Sequence, residues 1–167
     1  MSGLRTGLWS ATLSVLVLAA AGAVGIALKQ PWLFPSLGPT LMVIAETPRE
    51  PAAHPRNVLV GHLVGLGAGL IGLLVTGLRS HPSAVQEGLT GHRLVAVCLA
   101  IGLTALLLQL FRCPHPPAGA TTLIVALGIL RTTPQLLTMA LAIVGVAAVA
   151  AVVHLRTSRR RQLLREP

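Results

Sequence analysis

Four apolar runs without a single Asp, Glu, Lys or Arg constrain this chain more than any other feature. They cover residues 8–28, 57–78, 94–111 and 134–155, and each is close to the roughly 20 residues that cross a bilayer as a helix. Only 10% of the residues are charged, whereas a soluble domain carries about 25%. So few charges cannot cover a soluble surface, and the sequence therefore predicts an all-α membrane protein.

Two shorter segments, 31–45 and 113–130, open with prolines and a glycine before they become uniformly apolar. Proline disfavours helix at the residue before it and suits the first turn of a helix. Each segment is therefore predicted to be an extended stretch that leads into a half-helix. The half-helices are expected to begin near Gly38 and near residues 117–119.

The two interrupted segments also match each other. A shift of 81 positions places Gly38 on Gly119 and Thr40 on Thr121, and the same shift superposes the flanking long segments. The chain is therefore predicted to contain about six hydrophobic segments in two repeats of long–broken–long helices. The predicted organisation is a single transmembrane domain at 1–167, with repeat one at about 8–78, repeat two at about 89–155 and a basic C-terminal tail at 156–167.

The distribution of basic residues bears on the number of crossings. With six crossings and both termini inside, nine basic residues face inward and four outward, whereas two re-entrant loops give eight and five. Basic loops stay on the cytoplasmic side, so the sequence mildly favours six crossings, which would make the repeats inverted, over four, which would make them parallel. We expect a multi-pass protein of the bacterial inner membrane with a cytoplasmic C-terminus.

Interrupted backbone at membrane depth survives only where protein or a water-filled cavity covers it. Paired interruptions at matching places of two repeats are typical of a transporter site, because the start of a half-helix offers N–H groups and partial positive charge to an anion. The alternative is that the small residues serve helix packing alone. The predicted substrate-binding residues are Ser36, Gly38, Thr40, His115, Gly119 and Thr121, and His62 and Thr122 are candidates for lining the cavity.

Three of these features also have a purely structural interpretation. His115 either serves an anion or a proton, or lies at the interface and caps the interrupted backbone. Gly61, Gly65 and Gly69 predict close packing of the third segment against another helix. Arg56 is interpreted as marking the membrane boundary in preference to guiding anions.

Three short motifs carry a resemblance to a known family. They are His115-Pro116-Pro117-Ala118-Gly119-Ala120-Thr121, Ser36-Leu37-Gly38-Pro39, and Pro55-Arg56-Asn57-Val58 followed by Gly61-His62. In this order they resemble the recurrent blocks of the HPP family of integral membrane proteins. The resemblance covers about residues 28–130 and implies a multi-spanning protein of bacteria, with relatives in plastids. Because some relatives are implicated in nitrite transport, nitrite becomes the first candidate substrate.

The leading hypothesis is a membrane transporter or channel for a small inorganic anion, with the lipid bilayer and a second copy of the chain as partners. The alternative is a non-transporting membrane scaffold or sensor subunit. We do not expect an enzyme, a metal or a cofactor, because no nucleophile–base or metal-ligand constellation accompanies the histidines. Nucleic-acid binding is not expected either, since the basic tail is short and the rest of the chain is too apolar.

Overall fold

In the computed structural model the protein is all-helical over the described residues, which are 3–163, with side chains described as far as Arg159. Four helices are long and apolar enough to cross a membrane. The helices are α1 (Gly3–Leu28), α2 (Leu37–Glu46), α3 (Pro55–Val75), α4 (Ala84–Glu87), α5 (Gly91–Leu110), α6 (Ala118–Ala126) and α7 (Thr133–Leu163), with 3-10 turns at Pro51–Ala53 and Leu78–Ser80. The all-α fold with about six hydrophobic segments is thus confirmed.

The two short membrane helices begin where the prolines predict. Helix α2 starts at Leu37, one residue before Gly38, and α6 starts at Ala118, directly after Pro117. In each case an extended or turning stretch precedes the helix, because the prolines before it cannot continue a helical hydrogen-bond ladder. The predicted tail begins inside α7, which continues to Leu163, and residues 164–167 lie outside the described part of the chain.

One end of the molecule, here called the basic end, gathers the start of α1, the end of α2, the start of α3 and the far part of α7. The Ser10 hydroxyl donates to Glu46 Oε1 at 2.8 Å. The His54 ring lies edge-on to the His154 ring, with 4.9 Å between centroids. Six arginines with described side chains occur at this end: Arg5, Arg49, Arg56, Arg112, Arg156 and Arg159.

The opposite end gathers the end of α3, α4, the start of α5 and the start of α7. Arg79 donates to the Thr133 hydroxyl at 3.2 Å, and Arg131 donates to the His81 carbonyl. The start of α5 and the end of α6 both lie here, as the contact of the Arg93 guanidinium with the Ala126 carbonyl shows.

The interrupted segments pass from one end to the other. Segment 30–46 runs back along α1, since a Cβ built on Gly25 would lie 3.3 Å from Trp32 Cβ and Glu46 bonds to Ser10. The part of α1 between these contacts, from Ser10 to Gly25, is about 22 Å long at 1.5 Å per residue. The chain thus runs between the two ends six times, so α1 and α5 point in opposite directions and the repeats are inverted.

Helix α3 is the centre of the molecule, with α5, α6 and α7 packed around it. Gly61, Gly65 and Gly69 face the interrupted segment of repeat two: a Cβ built on Gly65 would lie 2.6 Å from the Ala118 carbonyl oxygen. Glycine here lets two backbones touch. The 81-residue shift places these glycines on Ala142, Val146 and Ala150 of α7, which are buried as well.

Helix α1 is peripheral. It packs against α2, and only Ser10 and Gly25 of its described residues are buried. The outward faces of α1, α3, α5 and α7 carry many exposed large apolar side chains, such as Leu16, Leu106 and Val144. An uninterrupted apolar surface of this extent is the surface that lipid tails cover.

Candidate functional site

The interrupted segments of both repeats meet at the middle of α3. Thr40 of α2, His62 of α3 and Thr121 of α6 are each 0% exposed and joined by hydrogen bonds. Such groups are stable inside a membrane protein only when they satisfy one another. They form the buried polar centre, here defined as Ser36, Thr40, His62, His115, Thr121 and Thr122.

His62 is bonded by both repeats at once. Its Nε2 lies 2.8 Å from the Thr40 hydroxyl, and its Nδ1 lies 2.7 Å from the Thr121 hydroxyl. Because these two threonines correspond under the 81-residue shift, the imidazole lies between two equivalent hydroxyls. The ring therefore occupies the place where the two half-helices approach each other.

His115 reaches the same ring from the stretch before α6. Its Nε2 lies 3.1 Å from His62 Nε2, and its Nδ1 lies 2.8 Å from the carbonyl oxygen of Ala52. The two rings are edge-to-face, with 4.7 Å between centroids and 67° between planes. His115 thus ties the interrupted backbone to the turn before α3, and it also contacts the imidazole at the centre.

The acceptors around the two rings assign their tautomers. A carbonyl only accepts, so neutral His115 carries its proton on Nδ1 and presents a lone pair on Nε2. His62 Nε2 then donates toward it, and His62 Nδ1 accepts from the Thr121 hydroxyl. The Thr40 hydroxyl donates to the Ser36 carbonyl at 2.8 Å, which leaves its oxygen free to accept from His62. Each polar proton of Thr40, His62, His115 and Thr121 therefore has an acceptor.

A second pair of hydroxyls extends the centre toward α5. The Thr122 and Thr104 hydroxyl oxygens lie 2.8 Å apart, so that either can donate to the other, and each also lies within hydrogen-bond distance of a carbonyl of its own helix. Thr104 is 3% exposed. The pair links α5 to α6 at the level of the centre.

Ser36 is the exception within this satisfied network. Its side chain is 0% exposed, and its hydroxyl has no hydrogen-bond partner among the described residues. A buried hydroxyl without a partner costs free energy, so this hydroxyl remains able to donate to another group.

The first turns of the two half-helices differ from the expected bare amide ends. The amides of Ala118, Gly119 and Ala120 donate to the carbonyls of His115, Pro116 and Pro117 at 3.0–3.1 Å. In α2 the amide of Leu37 donates to the Phe34 carbonyl at 2.9 Å. These bonds close tight turns at the helix starts, so side chains supply the donors that face the centre in this conformation.

Gly38 and Gly119 stand apart from the hydrogen-bonded group. A Cβ built on Gly38 would have no atom within 4 Å, and one on Gly119 would meet only Ile101 Cδ1, at 3.9 Å. Of the six predicted binding residues, the structure brings together Thr40, His115 and Thr121 through His62, with Ser36 beside them. Both residues considered for lining a cavity, His62 and Thr122, belong to the same centre.

Arg93 is one of the four basic residues that six crossings would place in outward loops, but the structure buries it, with 0% of its surface exposed. Its Nη2 donates to the Pro82 carbonyl at 2.6 Å and lies 3.9 Å from Glu87. The positive φ of Gly128, +75°, brings that backbone so close that a Cβ there would lie 2.9 Å from Arg93 Nη1. A cation at the carboxyl end of α6 matches the helix dipole.

Sequence reasoning also missed Thr104 and the carbonyl of Ala52. Thr104 lies in a uniformly apolar run, where nothing marks which face is buried. The carbonyl belongs to a loop whose position depends on the packing of α2 and α3. Among the described residues no group of three or more His, Cys, Asp or Glu is arranged to hold a metal ion.

Comparison with known proteins places this arrangement in a family. Residues 2–163 match the family described as "HPP, transmembrane region". A transmembrane protein of Dictyostelium discoideum is 31% identical over 97 residues, which are 58% of this chain and 30% of the relative. A second transmembrane protein of that organism is 30% identical over 93 residues, which are 56% of this chain and 27% of the relative.

The aligned part therefore spans less than a third of the curated relatives it matches. Their names describe them as transmembrane proteins. No solved structure matches the chain.

Proposed function

This chain belongs to the HPP family of integral membrane proteins, and from that premise we propose that it is a transporter or channel for a small inorganic anion, with nitrite the first candidate. One observation carries the proposal. The interrupted helices of two inverted repeats meet at a buried polar centre, where Thr40 and Thr121 both bond to His62. Substrate sites of secondary transporters are typically built at such a meeting point.

The chemistry of the centre favours an anion over a cation. Its side chains can donate through four hydroxyls and two imidazoles, and it contains no carboxylate. The starts of α2 and α6 add the positive ends of two helix dipoles. The unpartnered Ser36 hydroxyl is a donor without a present acceptor.

The described conformation is a closed one. Thr40, His62, His115 and Thr121 are each 0% exposed, so a solute reaches them only after α2 or α6 moves relative to α3. In an inverted-repeat protein such movement opens the centre to one side of the membrane at a time. The anion would then replace the His62–Thr40 or His62–Thr121 hydrogen bond with one of its own.

The imidazole pair also provides for charge balance. One added proton would make His62 donate through both ring nitrogens, to His115 Nε2 and to the Thr121 oxygen, once that hydroxyl rotates. A proton taken up with the anion would leave the centre uncharged overall, which lowers the cost of a charge at membrane depth.

Flux in proteoliposomes tests the proposal. Purified protein is reconstituted, and uptake of nitrite, nitrate, chloride and sulfate is compared with protein-free liposomes. We expect uptake of at least one monovalent anion, and Thr121→Val should lower it by about 5- to 100-fold, since one hydrogen bond to a charged group is lost. Thr138→Val is the matched control, because its hydroxyl bonds to the Pro134 carbonyl of its own helix.

Absence of uptake for every anion in the panel would contradict the transport proposal and favour the scaffold or sensor alternative. Uptake that is equal in wild type, Thr121→Val and His115→Ala would contradict the assignment of the site while leaving transport standing. The pH dependence of uptake tests the proton separately: uptake coupled to a proton should rise as the outside becomes more acidic, and His62→Gln should flatten that response.

A further inference from the structure

A second feature lies outside the buried polar centre, beyond the end of α2. At the basic end, a cleft of about 990 Å³ opens between the start of α1, the end of α2 and the far part of α7. Four arginines line it: Arg5, Arg49, Arg156 and Arg159. Among the residues whose side chains are described, the one acid lining it is Glu46, which already accepts a hydrogen bond from Ser10. The cleft is therefore strongly positive.

The floor of the cleft is apolar. It is lined by Trp9, Ala45 and Val153. Arg5 lies just before the apolar run of α1, and Arg156 lies just after the apolar run of α7. The guanidinium groups are thus at the level where the apolar part of the protein ends, with an apolar wall directly beneath them.

The cleft lies between α1 and α7, at a place where the repeat would be expected to bring these two helices together. In repeat two, α5 packs closely on α3, with Gly72 against Ala96. The equivalent pair under the repeat is α1 and α7, yet α1 packs against α2 and its own burial is limited to Ser10 and Gly25. The inverted repeats thus predict close packing of α1 on α7, whereas the described parts of these two helices line the cleft between them.

We propose that this cleft binds an anionic phospholipid, with the headgroup phosphate among the arginines and an acyl chain against Trp9 and Val153. Arginine binds phosphate through paired N–H donors, and basic residues at the membrane surface attract anionic lipids. A free phosphate ion would leave the apolar floor unused. A second copy of the chain, docked symmetrically here, would oppose one arginine cluster with another.

The two tryptophans of the chain serve as fluorescent reporters, one at the cleft and one away from it. Trp9 lines the cleft, whereas Trp32 lines a groove near the opposite end of α1. Trp32→Phe leaves Trp9 as the reporter, and Trp9→Phe leaves Trp32. Each protein is reconstituted in neutral lipid with increasing fractions of bromine-tailed phosphatidylglycerol or bromine-tailed phosphatidylcholine, and tryptophan quenching is measured.

We expect Trp9 to be half-quenched at about a fivefold lower fraction of the anionic lipid than of the neutral one, and Trp32 to show no such preference. Arg49→Gln with Arg156→Gln should abolish the preference of Trp9. Arg56→Gln with Arg112→Gln is the matched control, because it removes two charges from the same end outside the cleft and should keep the preference.

Equal quenching of Trp9 by the two lipids would overturn the proposal, and so would an equal loss of preference in the two double variants. Inorganic phosphate at constant ionic strength should leave the quenching unchanged; if it displaces the lipid effect, the site is one for free phosphate. Protection of Trp9 from both lipids that disappears on dilution of the protein in the membrane would identify a second copy as the occupant.

Discussion

His62 uses its two ring nitrogens on two different repeats. The Thr40 hydroxyl lies 2.8 Å from Nε2 and the Thr121 hydroxyl lies 2.7 Å from Nδ1. His115 Nε2 lies 3.1 Å from His62 Nε2. A single side chain therefore couples α2 and α6 to α3. Its removal affects three hydrogen bonds at once, among side chains that are 0% exposed, where a lost hydrogen bond is most costly.

His62→Ala should lower the stability of the protein by about 2–4 kcal/mol, because it leaves a cavity and an unpartnered Thr121 hydroxyl. Thermal unfolding in mild detergent measures this loss. His92→Ala is the control: that histidine is exposed, and its replacement should change stability by less than about 0.5 kcal/mol. Equal effects of the two substitutions would show that the centre does not stabilise the fold.

At the scale of elements, the contact of α3 with α6 is set by backbone proximity. A Cβ on Gly61 would lie 2.8 Å from His115 Cβ, and one on Gly69 would lie 2.7 Å from Val125 Cβ. The glycine spacing by itself predicts close packing of α3 against another helix. It did not predict the partner, because a ridge of small residues shows only that some helix comes near.

Gly65→Ala tests this contact. Its Cβ would lie 2.6 Å from a backbone oxygen of Ala118, which cannot move aside without shifting α6, so we expect a destabilisation of about 1–3 kcal/mol. Gly67→Ala, on the same helix with no atom within 4 Å, should be neutral or stabilising by up to about 1 kcal/mol. Unfolding curves of the two variants that coincide would contradict the proposed role of the ridge.

The positions of the elements were largely predictable, and their mutual contacts were not. Prolines and apolar length gave the starts of α2 and α6, because local backbone preferences decide them. The burial of Arg93 and the pairing of Thr104 with Thr122 depend on which faces of apolar helices meet. A helix that is apolar all round carries no periodic signal that could have revealed those faces.

At the scale of the whole molecule, the six passes place Gln30 and Arg49 at opposite ends, whereas a re-entrant segment between them would leave both on one side. We predict that single cysteines at these two positions, in a background with Cys98 and Cys113 replaced by serine and alanine, react with an impermeant maleimide from opposite sides of the membrane. The basic end should be cytoplasmic, because arginines are retained there. Labelling of both positions from one side would contradict the six-pass path.

The centre is not itself symmetric, although the repeats around it are. The 81-residue shift places Ile143 on the position of His62 and Phe34 on that of His115, and both of these apolar side chains are buried. Two identical halves that exchange conformations would make the outward-open and inward-open states degenerate in energy. Here His62 belongs to repeat one and His115 to repeat two, and neither has an imidazole at the equivalent position of the other repeat, so in the proposed transport cycle that degeneracy is lifted and the empty protein would rest preferentially with one gate shut.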